Sequence, residues 1–356
     1  MAARAALPDT VDLLAELVAA PGPPGAEGPV RVVVERYVRA LGYDPSTDAK
    51  GNLLVPCGCP STTVHTVVTA HLDEIALIVS TLETDGAMTV APMGGVHPHK
   101  WGEAPVDILT SLGSVPAVLS FGSIHTEHPS SAAARARTAP LTWADAFLFT
   151  GRTASELREA GVRPGCRVAL AADRRRVRTM GPYVCAPFLD DRADLVAWLL
   201  ALAALAEEPP APGVLFAATV SEEVGGEGAK YLLGRLRPER CIALEVGPSV
   251  PESRFLPDDR PTIWVSDTFA AMDAAEAERL ARVCRATGVE PHWQALSRGG
   301  SDASCAAADG LAAHAVTLGL PMENTHGYEI MHSGAPAALA RLLVAFLRSI
   351  SAASPA

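Results

Sequence analysis

Residues Thr219–Ala229 read TVSEEVGGEGA, and the organisation of the chain is clearest from this stretch. The apolar run Gly213–Val220 that leads into it has the length and the β-branched and aromatic content of a buried strand. Two adjacent carboxylates, Glu222 and Glu223, follow that strand, and glycines come after them. This is the position where open α/β sheets bind ligands. Two solvated loop acids are the alternative on this stretch alone.

The composition limits the class of protein. The 356 residues are 49% apolar and 19% charged, enough for a large core and one or two domains. Acidic residues outnumber basic ones by 40 to 29, and the net charge of −11 argues against nucleic acid as a partner. There is no apolar span of membrane length, and the start, MAARAALPDT, lacks the apolar segment of a secretion signal. The seven cysteines are odd in number and scattered, so we expect a reduced cytoplasmic protein.

The apolar run Thr66–Ala70 predicts another buried strand, with His71 and Asp73 at its end. A histidine that binds a metal needs its other ring nitrogen held, and a carboxylate two residues away can help to fix its surroundings. A histidine that caps a loop is the alternative here.

Asp190 and Asp191 stand just before Ala193–Ala206, an apolar segment that predicts a helix. An acid at a helix N-terminus is favoured by free backbone N–H groups and by the helix dipole. We interpret one of the two aspartates as such a cap, which leaves the other free to bind a metal.

The predicted strand Cys241–Leu244 ends in Glu245, and His326 follows the predicted strand Ala313–Leu318. Histidines and carboxylates without thiolates favour zinc, cobalt or manganese in a water-bearing catalytic site. The carboxylates outnumber those that one tetrahedral zinc would use, and two ions roughly 3.5–4 Å apart would use them.

The adjacency of Glu222 and Glu223 favours a division of roles. Neighbouring side chains point in different directions, so one can bind a metal while the other takes a proton from water. Two redundant ligands explain the pair less well.

Between Ile75 and Met180, short β-like runs replace the alternation of strands and helices. We predict an α/β catalytic domain, residues 1–74 and 181–356, with a mixed sheet and helices on both faces. Residues 75–180 would form a small β-rich insertion. Four of its apolar residues are expected to be exposed and to contact a second copy in a dimer. They are Ile108, Leu109, Val118 and Leu119.

Nine segments follow one another along the chain: APGPPGAEG, GNLLV, AHLDEIAL, PMGGV, FLDDR, SEEVGGEGA, ALEVGP, GGSDA and NTHGYE. In this order they resemble the tetrahedral (TET) aminopeptidases, di-metal aminopeptidases of glutamyl or leucyl type. The resemblance covers nearly the whole chain, and the combination of AHLDE, LDDR and EEVGGEGA is its specific part.

The resemblance implies roles for individual residues. The implied metal ligands are His71, Asp190, Glu223, Glu245 and His326, with Asp190 shared by both ions. The implied catalytic residues are Glu222, as general base and acid, and Asp73, which would orient His71.

The resemblance also implies two divalent ions per chain, with zinc or cobalt favoured over manganese, and dimers that build into a twelve-subunit particle. The chain departs from the family at Glu245, where aspartate is common, and at Gly225 and Gly226, where many members carry a bulkier segment. It also has ENTHGYE in place of the usual arginine-tyrosine-threonine-histidine-serine, so the local substrate pocket is expected to differ.

We therefore predict a metal-dependent aminopeptidase that acts on peptides or small amides. A di-metal deacylase, another amidohydrolase or a carboxypeptidase-like enzyme is the alternative, and these differ in whether the substrate needs a free amine. An inactive metal-binding scaffold is a third hypothesis, disfavoured because it would not need Glu222.

Overall fold

The computed structural model describes residues 6–58 and 63–352, which form two compact units. The larger unit contains the residues up to Asp73 and those from Val177 onward, and the smaller one is Glu74–Arg176. The helices of the described residues are α1 (Thr10–Ala19), α2 (Gly28–Ala40), α3 (Pro98–Trp101), α4 (Ala132–Arg135), α5 (Ala154–Glu159), α6 (Leu189–Glu207), α7 (Glu227–Leu236), α8 (Ala274–Ala286), α9 (Asp302–Ala308) and α10 (Ala335–Ala352).

The strands include short edge pairs as well as long buried runs. They are β1 (Ser46–Thr47), β2 (Leu53–Cys57), β3 (Thr66–His71), β4 (Ala76–Leu82), β5 (Met88–Met93), β6 (Ala104–Thr110), β7 (Gly113–Ser120), β8 (Phe147–Phe149), β9 (Arg167–Leu170), β10 (Arg178–Met180), β11 (Tyr183–Ala186), β12 (Val214–Thr219), β13 (Arg240–Pro248), β14 (Thr262–Ser266), β15 (His292–Ala295), β16 (His314–Glu323) and β17 (Glu329–His332).

The larger unit is built on one mixed sheet in the order β1-β2-β12-β3-β13-β16-β17-β11-β10, with β14 and β15 attached beside β16. Its central strands β12, β3, β13 and β16 are parallel. Their carboxyl ends therefore lie at one edge of the sheet, which is the edge that collects the predicted site residues.

Helices cover both faces of this sheet. Alternate side chains of the buried strands enter different cores: Val68 and Phe216 pack with α1, α2, α6, α8 and α10. Their neighbours Val67 and Leu215 pack with α7 and α9. Strands that are buried on both faces have continuous apolar sequences. The central strands could be predicted from the sequence for this reason. The predicted α/β class, with a mixed sheet and a small β-rich unit, is confirmed.

Strand β13 is longer than the sequence predicted. We expected it to end at Leu244, but it continues to Pro248 because its last residues pair with β16, so Glu245 lies inside a strand. Strands β10, β11, β15 and β17 were also missed, since they are short. Pairing between β11 and β17 joins distant parts of the sequence, and β10 is added at the edge by its hairpin neighbour β11.

The smaller unit is a closed barrel in the order β4-β5-β8-β7-β6-β9. Closure places Ile108 and Leu119 fully inside, so the prediction that they are exposed is wrong. Leu109 is half-buried. Val118 is 46% exposed, and it pairs across β7 and β8 with Phe149, which is 63% exposed.

Among the described residues, no helix has both the length and the apolar character needed to cross a membrane.

The turn after β12 depends on a glycine without space for a side chain. A Cβ on Gly228 would lie 2.3 Å from the Val220 carbonyl oxygen and 2.5 Å from Asn52 Oδ1. Asn52 itself bridges this turn, because it accepts the N–H of Val220 and donates to the Gly228 carbonyl. The substitution Gly228→Ala should therefore destabilise the fold by about 1–3 kcal/mol through overpacking.

Gly234→Ala is the matched control, since it lies in the same helix and its Cβ would meet only Leu311, at 4.0 Å. It should stabilise the protein by about 0.5–1 kcal/mol, because alanine loses less backbone entropy in a helix. Urea unfolding of both variants measures the difference, and equal stabilities would contradict this packing account.

Candidate metal centre

Neighbouring parallel strands bring the predicted ligands to one edge of the sheet. His71 is the last residue of β3 and pairs in register with Thr219, the last residue of β12. Glu245 lies two residues beyond Ala243, which pairs with Thr69 of β3. The three strands therefore present their functional residues at the same level.

The first group of donor atoms surrounds His71. Its Nε2 lies 3.1 Å from Asp190 Oδ1 and 3.9 Å from Glu245 Oε2. One donor atom from each of His71, Asp190, Asp191 and Glu245 falls within 4.8 Å of the others, and all four side chains are buried.

The second group surrounds His326, which follows β16. Its Nε2 lies 3.4 Å from Asp190 Oδ2 and 3.7 Å from Glu223 Oε1. Asp190 belongs to both groups, with one carboxylate oxygen toward each histidine.

Asp73 belongs to neither group, and its contacts are those of a residue that holds others. His71 Nδ1 is 3.1 Å from the Asp73 carbonyl oxygen and 3.5 Å from its Oδ1. The two carboxylate oxygens of Asp73 accept the backbone N–H groups of Glu222 and Glu223, at 2.9 and 3.0 Å. Asp73 thus links the histidine of β3 to the two glutamates after β12.

Glu329 plays a similar part on the other side of the centre. Its Oε2 accepts the backbone N–H of Asp190 at 3.0 Å, and its Oε1 accepts that of His326 at 2.7 Å. His326 has φ +58°, a conformation that non-glycine residues rarely adopt, so this bond supports a strained backbone.

The pKa values of several carboxyl groups in and around the two donor groups are strongly shifted. Burial, with neighbouring carboxylates, raises the pKa of Glu222 and of Glu245 well above the usual range. Burial also raises the pKa of Glu223 to about 7 and that of Glu329 to about 8. Without cations nearby, these carboxyl groups therefore cannot all be charged at once.

His71 and Asp190, which share a hydrogen bond at the centre, instead favour their charged forms. Burial disfavours the charged form of His71, but Asp191 and Asp190 raise its pKa well above the usual value. Burial likewise opposes the charge of Asp190, yet His326 and His71 hold the pKa of Asp190 well below its usual range.

These residues fit a pair of divalent cations. The donors are imidazole nitrogens and carboxylate oxygens, the set that zinc, cobalt and manganese share. Asp191 Oδ1 is buried at the edge of the first group without a hydrogen-bond partner among the described residues. A bound cation would compensate such an oxygen.

The structure corrects one interpretation and adds residues that the sequence did not single out. The aspartate pair does not cap α6: Phe188 occupies the N-cap without a side-chain cap bond, and Asp191 Oδ2 accepts the N–H of His71. Asp302, from the GGSDA segment, accepts the hydroxyl hydrogen of Thr219 at 2.6 Å, and burial raises its pKa to about 6. Position after glycines was its only sequence signal.

A family model of the M42 glutamyl aminopeptidases matches residues 51–342. The chain belongs to the M42 glutamyl aminopeptidase family. This membership confirms the resemblance drawn from the sequence.

Two curated relatives of this M42 chain have named activities. A glutamyl aminopeptidase of Lactococcus lactis is 26% identical over 68% of this chain and 66% of its own length. A lysyl aminopeptidase of Pyrococcus furiosus is 26% identical over 66% of each chain. The matched part of the chain thus spans slightly less than two thirds of either relative.

The fold also matches solved structures. The TET1 peptidase of Pyrococcus horikoshii, which can assemble into a tetrahedron or a large octahedral shell, has a TM-score of 0.82 at 24% identity. The match covers 95% of this chain and 99% of that structure.

The bonds of Glu329 predict how its variants will behave. Glu329→Ala should weaken metal binding by about 10- to 100-fold, because both the shared aspartate and His326 lose a bond that holds them in place. Glu329→Gln should lose less, since its amide oxygen can still accept one N–H. Titration of the apo-protein with zinc measures both, and alanine and glutamine variants of equal affinity would contradict the account.

Proposed function

We propose that this protein is a metal-dependent aminopeptidase that removes N-terminal residues from peptides. The observation that carries the proposal is the pairing of two donor groups through Asp190, with Glu222 beside them but in neither group. Family membership supports the same reaction.

The residues assigned to the ions follow the two donor groups. His71, Asp190 and Glu245 would hold the first ion, with Asp191 within reach. Asp190, Glu223 and His326 would hold the second ion. Zinc or cobalt is proposed, with manganese the further option, because all the donors are nitrogen or oxygen.

When bound, such a pair of ions lowers the pKa of a water molecule and polarises the substrate carbonyl. The carboxylate of Glu222 would accept a proton from the attacking water and pass it to the nitrogen of the leaving amine. Burial raises the pKa of Glu222, which suits a group that must both take and release a proton. Asp73 would keep Glu222 in place through its backbone N–H.

The free amine of the substrate separates this proposal from its alternatives. Amides of glutamate, lysine and leucine are assayed against their N-acetylated forms with zinc, cobalt or manganese added. An aminopeptidase should hydrolyse the free amides and spare the acetylated ones. A preference for the acetylated forms would favour a deacylase, and no hydrolysis under any of these conditions would favour a metal-binding scaffold.

Glu222→Gln should lower kcat on the order of 100-fold or more, since the proton acceptor is lost. Its metal content should stay close to that of the wild type, because Glu222 lies outside both donor groups. Glu223→Gln is the matched control and should lose metal as well as activity. Elemental analysis of both variants checks the assignment, and a Glu222→Gln protein without metal would show that the two roles are exchanged.

We also propose that the chain forms a homo-oligomer through its small unit, starting from dimers and building toward twelve subunits. The exposed pair Val118 and Phe149 on the outer face of the barrel supports this, because neighbouring apolar side chains favour burial against another chain. The assemblies of the Pyrococcus horikoshii peptidase support it too. The free state of the six described cysteines supports the predicted cytoplasmic location.

The double substitution Val118→Ser with Phe149→Ser should shift the assembly toward smaller species at micromolar concentration. Val32→Ser, at a 63% exposed position of the larger unit, is the control that should leave it unchanged. Light scattering measures the mass of each. A wild-type monomer would contradict the proposal outright. A double variant with the mass of the wild-type assembly would show that the interface lies on another surface.

A further inference from the structure

The residue immediately before Glu222 has an unusual backbone. Ser221 has φ +57°, in the left-handed region that glycine adopts freely and other residues adopt at a cost. Such a conformation persists only where surrounding contacts enforce it, and it is common at functional sites. The direction of the Glu222 side chain depends on this turn, since Ser221 sets the path of the chain that leads to it.

A buried glutamate from the N-terminal part of the chain, Glu27, holds Ser221. Oε1 of Glu27 accepts the Ser221 N–H at 3.2 Å and its hydroxyl hydrogen at 3.3 Å. The same oxygen accepts the Gly25 N–H at 2.7 Å, which fixes the loop that carries the glutamate. Glu27 is 6% exposed and lies in the segment APGPPGAEG, to which the reaction assigns no role.

Carboxylates hold three consecutive backbone N–H groups of this turn. Glu27 accepts from Ser221, and Asp73 accepts from Glu222 and Glu223. The turn then closes on itself, since the N–H of Glu227 donates to the Ser221 carbonyl at 3.1 Å. Of these three residues, all within the described part of the chain, Ser221 alone has a positive φ. Its bond to Glu27 therefore stabilises the most strained backbone of the turn.

We propose that Glu27 is a positioning residue for the aminopeptidase reaction. It holds Ser221 in the left-handed conformation and thereby aims the Glu222 carboxylate at the attacking water. The inference rests on the proposed function and on Glu222 as proton acceptor. This role requires an acceptor oxygen at the end of a side chain as long as that of glutamate. It does not require a negative charge.

Two conservative variants separate reach from charge. Glu27→Gln keeps the side-chain length and an acceptor oxygen but loses the charge, so its kcat should stay close to that of the wild type. Glu27→Asp keeps the charge but is one methylene shorter, so its kcat should fall on the order of 10- to 100-fold, as small misplacements of catalytic groups do. KM and metal content should change less than about twofold in both, since Glu27 is buried and belongs to neither donor group.

A second substitution tests the backbone directly. Glycine adopts φ +57° without steric cost, so Ser221→Gly added to Glu27→Asp should restore part of the lost kcat. Glu276→Ala is the control for a merely structural effect. Glu276 is also buried, but it pairs with Arg240, the first residue of β13, and its loss should lower the melting temperature and leave kcat unchanged.

The inference is overturned if Glu27→Asp keeps the wild-type kcat, if Glu27→Gln is as impaired as Glu27→Asp, or if Ser221→Gly restores nothing. These outcomes are distinct from failure of the proposed function. A wild-type protein that hydrolyses none of the free amides would overturn the proposed function and this inference with it, whereas an active wild type with an unaffected Glu27→Asp variant overturns the inference alone.

Discussion

The repulsion among carboxylates in one buried cleft is the interaction on which the rest of the centre depends. Asp190, Asp191 and Glu245 approach His71 closely enough to share an ion, and Glu223 joins Asp190 beside His326. Burial pushes these acids toward their neutral forms, so a fold that keeps them together without cations sacrifices stability. Divalent ions resolve the conflict, and metal binding and the local fold are therefore coupled.

Backbone hydrogen bonds to buried carboxylates keep the centre in shape. Asp73 accepts the N–H groups of Glu222 and Glu223, and Glu329 accepts those of Asp190 and His326. Charge-assisted bonds of this kind are stronger than neutral ones and are directional. Acids outside the two donor groups thus determine where the acids of those groups can lie.

Much of this centre could be predicted from the sequence, because side chains that follow buried strands are marked by the apolar runs before them. His71, Glu222 and Glu223 are examples, and the family resemblance assigned Asp190, Glu245 and His326. The extent of β13 could not be predicted, since it depends on pairing with β16. Likewise, the alternation of apolar residues in β6 and β7 was visible, but which face lies inside follows only from closure of the barrel, as Ile108 and Leu119 show.

The supporting contacts were the least predictable part. Glu27 and Ser221 are 194 positions apart in the chain, and no local pattern connects them. Glu329 appeared in the sequence as one polar residue of a cluster, and its bond to Asp190 spans 139 positions. Such contacts arise from the packing of the whole larger unit, which local propensities do not specify.

An anomalous-scattering map of crystals grown with zinc or cobalt would show directly whether Asp190 is shared by two ions. We expect two metal peaks per chain, both within bonding distance of Asp190. One should lie beside His71 and Glu245, and the other beside Glu223 and His326. A single peak, or a second peak that Asp190 does not contact, would contradict a di-metal centre built on that shared carboxylate.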